Sequence, residues 1–302
     1  MNDLISKLSQ NAPFILLFHG VINENNYEVR NCIRKHIEKD YFSNILNTLK
    51  EGGTALSMDD VVEIHGNGDV YPPNSFIVTF DDGFENNYSV AAPILSDLNI
   101  PSTFYITTDF IENGTMSWTD RIEYCLENVK TGSVTLPWES DNLSFCNSSG
   151  KIELMQRIRQ RVFHDKTINV DDFTDWFYKQ FDMDVIQTTS DPLDKKLSWQ
   201  QVQEMHEDDL FTIGGHTHTH IVMSFSPQAE MEQEIDLNLK LLKEKSNVDT
   251  VHFAYPQGQA NHYNISVINA LKKRGIACCP TAIDGKNTRE TGLFDLYRTM
   301  IV

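Results

Sequence analysis

Seven short apolar runs, each about the length of one buried strand, limit how this chain can fold. They are Phe14-Ile15-Leu16-Leu17-Phe18, Phe76-Ile77-Val78-Thr79-Phe80, Thr103-Phe104-Tyr105-Ile106, Phe211-Thr212-Ile213, Val251-His252-Phe253-Ala254-Tyr255, Ile276-Ala277-Cys278-Cys279 and residues 296–302. Continuous apolar character marks strands covered on both faces, and amphipathic helical stretches fall between these runs. The rhythm predicts parallel strands joined by helices, as a barrel or a doubly wound sheet. A weaker strand is expected at Thr54-Ala55-Leu56. Ser57-Met58-Asp59-Asp60 resembles a capping box, and Ser226-Pro227 places proline at the start of a long helix over 226–245. That helix is acidic early and carries Lys240, Lys243 and Lys245 late, as the macrodipole favours.

One segment breaks the rhythm. Over about 111–196 the strand–helix alternation is lost, and helical patches at 121–129, 151–163 and 171–181 are separated by polar loops. This predicts a helical insertion over one end of the sheet, a lid or a contact between copies, within a single domain spanning 1–302.

Charge narrows the partners. With 25 basic against 43 acidic residues the net charge is -18, which repels phosphate backbones and anionic headgroups. Nucleic acid and membrane surfaces are therefore poor partners, and oligomeric state is left open. The five cysteines (Cys32, Cys125, Cys146, Cys278, Cys279) are odd in number and lack C-x-x-C spacing, which points to a reducing compartment. The apolar run at Phe14 is too short for a secretion signal, and no stretch is long enough for a membrane span. A cytoplasmic location is the expectation.

Two motifs carry chemistry. Asp81-Asp82-Gly83 ends a buried strand, the position where parallel β/α folds gather active sites. One carboxylate can ligate a cation while the other accepts a proton; the bland alternative is a polar turn capping the next helix. Gly214-Gly215-His216-Thr217-His218-Thr219-His220 follows another strand and holds three of the ten histidines. An i/i+4 pair aims two rings at one point on a helical turn, whereas His216, His218 and His220 share a face in an extended segment. Spacing alone leaves the ligand set open. With Asp82, two of them complete a two-His, one-carboxylate site with an open position, where water acidifies from about 15.7 to roughly 7 on zinc. His19 after the first strand, the Tyr255-Pro256-Gln257-Gly258 turn and Arg298 are each ordinary alone. The common place of His19 and the Tyr255 turn at C-terminal strand ends sets these two apart, while for Arg298, near the last run, the sharper reading is pairing with a buried carboxylate.

Together these residues resemble the polysaccharide deacetylases (carbohydrate esterase family 4, the nodulation-factor deacetylase domain). Thr79-Phe80-Asp81-Asp82-Gly83 is similar to their T-F-D-D-G motif, and His216 to His220 to their H-[ST]-x-x-H motif. The resemblance implies an α/β fold, a distorted (β/α)7 barrel with the helical insertion. It implies a divalent metal, usually zinc, with Co2+, Mn2+ or Ni2+ as alternatives, held by Asp82, His216 and His220, with His218 a bystander. Asp81 would be the general base. The family's R-x-P-Y-G motif maps onto Ala254-Tyr255-Pro256-Gln257-Gly258, making the Tyr255, Pro256 and Gln257 turn the substrate and oxyanion segment. Ala254 replaces the arginine that braces the catalytic aspartate, and Arg298 is the candidate substitute. The family's late L-x-H motif is missing here. Leu17-Phe18-His19 resembles the branch that carries it at the N-terminus, making His19 the general acid. The implied reaction is removal of an N-acetyl group from an amino sugar of a polysaccharide or its precursor. The alternatives are another amide or formamide hydrolase, a metal phosphoesterase, and a non-catalytic carbohydrate-binding protein with a relic site.

Overall fold

A computed structural model describes residues 6–8 and 12–302. The single-domain expectation also covers 1–5 and 9–11, which lie outside the described residues. The chain opens with β1 (Phe14–Phe18), β2 (Gly20–Ile22), β3 (His36–Glu38), α1 (Lys39–Gly52), β4 (Thr54–Ala55), α2 (Met58–Asn67) and β5 (Ser75–Phe80). A π-helical turn, Asn87–Ala91, runs into α3 (Ala92–Asp97), followed by β6 (Ser102–Ile106) and α4 (Thr108–Asn113). Next come α5 (Trp118–Asn128), β7 (Gly132–Thr135), β8 (Asn142–Phe145), α6 (Ser148–Val162) and α7 (Val170–Lys179). The remainder is α8 (Trp199–His206), β9 (Phe211–Gly215), α9 (Gln228–Ser246), α10 (Ile265–Lys273) and β10 (Thr299–Met300).

The main sheet runs β10-β1-β5-β6-β9, all parallel, with β4 added to β5. Past β9 the ring continues through single parallel bridges, Gly215 to Phe253 and His252 to Cys278. The Thr281 amide then donates to Leu296 O and the Arg298 amide to Ile283 O, and β10 returns to β1. Seven strand positions thus close a distorted (β/α)7 barrel. The expected strands at 251–255 and 276–279 shrink to bridges because Pro256 and Pro280, which follow them, have no N–H to extend a ladder.

Local signals hold where they have a physical partner. Ser57 Oγ accepts from the Asp60 amide at 3.0 Å, and the Asp60 carboxylate accepts from the Ser57 amide at 2.7 Å. Pro227 lies one residue before the first helical position of α9, as its cap.

The insertion differs from the expectation in one respect: it is not purely helical. β7 and β8 form an antiparallel hairpin, Gly132 to Phe145 through Thr135 to Asn142, from strands too short to show a period. The insertion has its own apolar cluster, including Ile122, Leu126, Met155, Ile158, Phe173 and Phe177. The sequence reading also missed β2 and β3, which pair in parallel and frame the loop carrying Lys35.

Candidate active site

Register brings the motifs to one end of the barrel. Phe18 and Phe80 are partners across β1 and β5, so His19 and Asp81 leave their strands at the same level. Ile106 pairs with Gly215, which places His216 at the end of β9. Alternation sets direction. Phe18 and Phe80 stack at 5.4 Å and both contact Phe42 of α1, outside the sheet. Thr79 and Asp81 therefore face the interior, where both meet Arg298.

The turns after these strands are held in conformations that L-residues avoid. Asp82, Thr217, His220 and Gln257 have φ of 75°, 60°, 62° and 60°. Such backbone costs about 1–3 kcal/mol per residue and persists only where surroundings enforce it. Here Asn238 Nδ2 donates to Ile106 O at 2.9 Å and Thr217 O at 2.6 Å, and the Thr107 hydroxyl donates to His216 O at 3.1 Å. Thr219 is tied to Glu234 through its amide (2.7 Å) and its hydroxyl (2.9 Å). Gly215 is required by crowding, since a Cβ there would lie 2.4 Å from Asn238 Oδ1.

Asp82, His216 and His220 converge, with one ligand atom of each within 4.8 Å of the others. Asp82 Oδ1 lies 3.3 Å from His220 Nε2 and 3.7 Å from His216 Nε2. A tetrahedral cation with bonds of ~2.1 Å separates its ligand atoms by about 3.4 Å, so the trio fits one. Two further observations agree. Asp82 Oδ1 is buried without a well-directed hydrogen bond among the described residues. His216 Nδ1 bonds Ala254 O at 2.9 Å, which leaves the Nε2 lone pair toward Asp82. Burial raises the Asp82 carboxyl, but Lys35 and His220 overrule it and hold it well below the usual carboxylate range.

Asp81 meets a different partner. Both oxygens accept from the Arg298 guanidinium at 2.8 Å, and Arg298 is fully buried. Its Nε donates to Thr281 O at 2.6 Å and its Nη1 also reaches Thr79 Oγ1 at 3.2 Å, so the planar fork has one orientation. Burial raises Asp81, and the pull of Arg298 and His216 leaves it net lowered. His216 Nε2 is 3.9 Å away.

The expected bystander His218 and two expected site residues, Tyr255 and Pro256, lie apart from the trio. His218 Nδ1 pairs with Thr108 Oγ1 at 2.9 Å, away from the trio. Tyr255 is buried, donates to Phe294 O at 3.1 Å and stacks on Tyr263 at 4.3 Å. Neither it nor Pro256 lines the cavity, whereas Gln257 does. His19 also lines it; its carbonyl accepts from Asn87 Nδ2 at 2.8 Å, and its Nδ1 has no hydrogen-bond partner among the described residues. Burial lowers its ring to about 4 against the opposing pull of Asp82.

The cavity, about 260 Å³, also has walls that the sequence reading did not assemble: Lys35, Thr119, Arg159, Phe163 and His262. Trp118, weighed there only as a stacking surface, lines it too, against Phe163 at 5.9 Å. Lys35 Nζ is 3.1 Å from Asp82 Oδ2 and 3.3 Å from Asp120 Oδ1, and Lys196 lies 4.0 Å from Asp120. The Arg34-Lys35-His36 triplet in an acidic chain was the available signal. The sparse basic residues flanking the motifs in sequence were thus a poor guide to the cavity, which gathers Lys35 and Arg159 from elsewhere.

The model of one family, described as polysaccharide deacetylase, matches residues 69–278. His19, Lys35 and Arg298 lie outside that segment. Among solved structures, PplD, a Streptococcus pyogenes deacetylase in complex with acetate, is 18% identical, with 97% of this chain and 93% of that chain covered and a TM-score of 0.61. IcaB from Ammonifex degensii is 16% identical over 98% and 94%, TM-score 0.60. A de-N-acetylase from Aggregatibacter actinomycetemcomitans is 15% identical over 96% and 94%, TM-score 0.61. No curated protein matches the sequence.

Proposed function

This chain belongs to the polysaccharide deacetylase family, and on that premise we propose that it hydrolyses the N-acetyl amide of an amino sugar in a polysaccharide or its precursor. The observation that carries the reading is the division of labour between adjacent carboxylates. Asp82 turns a bare oxygen toward two imidazole nitrogens, while Asp81 is held ionised by a bidentate arginine. Asp82, His216 and His220 would hold a divalent cation, zinc by preference for two nitrogens and one oxygen. Such a cation supplies Lewis acidity, acidifying water and polarising a carbonyl.

The chain's own groups do the rest. Asp81, aimed by Arg298, accepts the proton of the attacking water. The Gln257 backbone N–H, at the cavity wall, is the donor for the developing oxyanion. His19 delivers a proton to the departing amine; burial keeps its resting ring neutral near pH 7, so it acquires that proton during turnover. The acetate complex of PplD and the de-N-acetylase among the structural neighbours support an acetyl group. Arg298 on Asp81 supports an active site over a relic one, since it offers a partner where the motif arginine is replaced by Ala254. Among the described residues no helix is long and apolar enough to cross a membrane. The cytoplasmic reading rests on the cysteine pattern.

The test is metal analysis of purified protein with acetate release from N-acetylated sugars. Zinc at about one per chain and acetate release that is lost in Asp82→Asn are expected. A protein that binds no divalent metal and releases no acetate would leave only a sugar-binding role.

A further inference from the structure

From the geometry around Asp82 we infer that Lys35 is a positioning residue for the metal-binding carboxylate, held in place by Asp120 of the insertion. The inference rests on the metal site proposed above. Asp82 has two oxygens in different surroundings. Oδ2 is 3.1 Å from Lys35 Nζ, and Oδ1 is the bare one facing His216 and His220. A carboxylate free to rotate about Cβ–Cγ offers either oxygen, or both; one tied at Oδ2 offers Oδ1 alone. Lys35 therefore selects a one-oxygen presentation before any cation arrives.

Lys35 is itself fixed on its far side. Its ammonium lies 3.3 Å from both Asp120 oxygens and 4.6 Å from the centre of the Phe84 ring. Asp120 is buried at the start of α5, where its amide is capped by Ser117 Oγ at 3.2 Å. Lys196 adjoins this group, 3.5 Å from the Phe84 ring centre and 4.0 Å from Asp120. A chain of alternating charges, Asp82, Lys35, Asp120, Lys196, thus runs from the barrel into the insertion. The same α5 turn places Trp118 and Thr119 on the cavity wall. The insertion in this way supplies both part of the cavity wall and the hold on Lys35.

Two effects of Lys35 oppose each other and can be separated. Its N–H orients Asp82, which favours the cation; its positive charge repels the cation. Lys35→Gln keeps a donor and removes the charge, whereas Lys35→Met removes both. The readout is zinc affinity by chelator competition on the purified, folded protein, with kcat at saturating zinc beside it. Positioning predicts that Lys35→Met binds zinc roughly 10–100-fold more weakly. Lys35→Gln should stay at or above wild-type affinity, and in Lys35→Met the loss of zinc affinity should exceed any loss of kcat at saturating zinc. Asp120→Asn should weaken affinity several-fold through Lys35, and it decides alone if Lys35→Met does not fold. Tighter binding in both Lys35 variants would make charge the whole effect and overturn the inference. So would wild-type affinity in Asp120→Asn. A wild-type protein that binds no zinc would instead remove the metal site on which the inference stands.

Discussion

Replacing Arg298 by methionine tests the bond on which the catalytic reading of Asp81 depends. The guanidinium makes two 2.8 Å bonds to Asp81, one of 3.2 Å to Thr79 Oγ1 and one of 2.6 Å to Thr281 O, all in the barrel interior. A neutral hydrogen bond is worth about 1 kcal/mol net, whereas leaving one member of a buried ion pair alone costs ~3–5 kcal/mol. The stranded Asp81 charge therefore dominates the loss. The sign of the pH dependence follows from the directions. In the wild type, burial raises Asp81 and Arg298 with His216 overrules it, leaving the carboxyl below its ordinary 3.8. A depressed carboxylate stabilises the fold above its ordinary range, and that contribution is lost only as pH falls through the folded value. In Arg298→Met the raising influence of burial is left with little opposition. The folded state then favours protonated Asp81, and stability declines as pH rises.

At 1.36 kcal/mol per pH unit, a 3 kcal/mol change moves the acid limb of kcat/KM up by about 2 units. At about 2 °C per kcal/mol, 3–5 kcal/mol lowers Tm by roughly 6–10 °C at neutral pH. The gap should narrow toward pH 5. Acetate release across pH 5–9, with thermal unfolding at the same pH values, measures both. A folded variant whose acid limb and melting profile match the wild type would refute the assignment of Asp81 as an arginine-braced base.

Two further outcomes follow from the same geometry. Asp81→Asn should cut turnover by about 10²–10⁴-fold with zinc affinity within a few-fold of wild type, because Asp81 is not one of the three converging ligands; parallel acetate and zinc assays check it. Gln257→Gly should keep turnover within a few-fold, since φ of 60° suits glycine and the N–H remains. A loss beyond 10-fold in that variant would shift the role from backbone to side chain.

The residues of the candidate site were legible because its core is local. Asp81 and Asp82 are neighbours, His216 and His220 lie four apart, and each pair follows an apolar run whose burial on both faces marks a barrel strand. His19 was named from the same logic of strand ends and Arg298 as the candidate for the motif arginine replaced by Ala254; the structure puts Arg298 on Asp81 and His19 in the cavity lined by both carboxylates. The hairpin at Gly132–Thr135 and Asn142–Phe145 was illegible for the opposite reason, since four residues cannot display a period. Lys35 was missed because a buried lysine looks like a surface one until its partners are known; its nearest acids are 47 and 85 positions away.

Composition and pattern alone therefore settled the approximate number of parallel strands, the strand ends that carry polar residues and the residue types able to hold a cation, while a barrel and a doubly wound sheet both fitted the pattern. What only the tertiary structure decided is which partner each carboxylate meets. Hydrogen bonding is directional and short-ranged, so the choice between Arg298 and Lys35 as partners waits on a closed ring that brings residue 298 to residue 81, and on an insertion that brings residue 120 to residue 35. Sequence places two acids side by side; the fold gives them different neighbours, Arg298 for Asp81 and Lys35 with the two histidines for Asp82, and the proposed division into base and ligand follows from those neighbours.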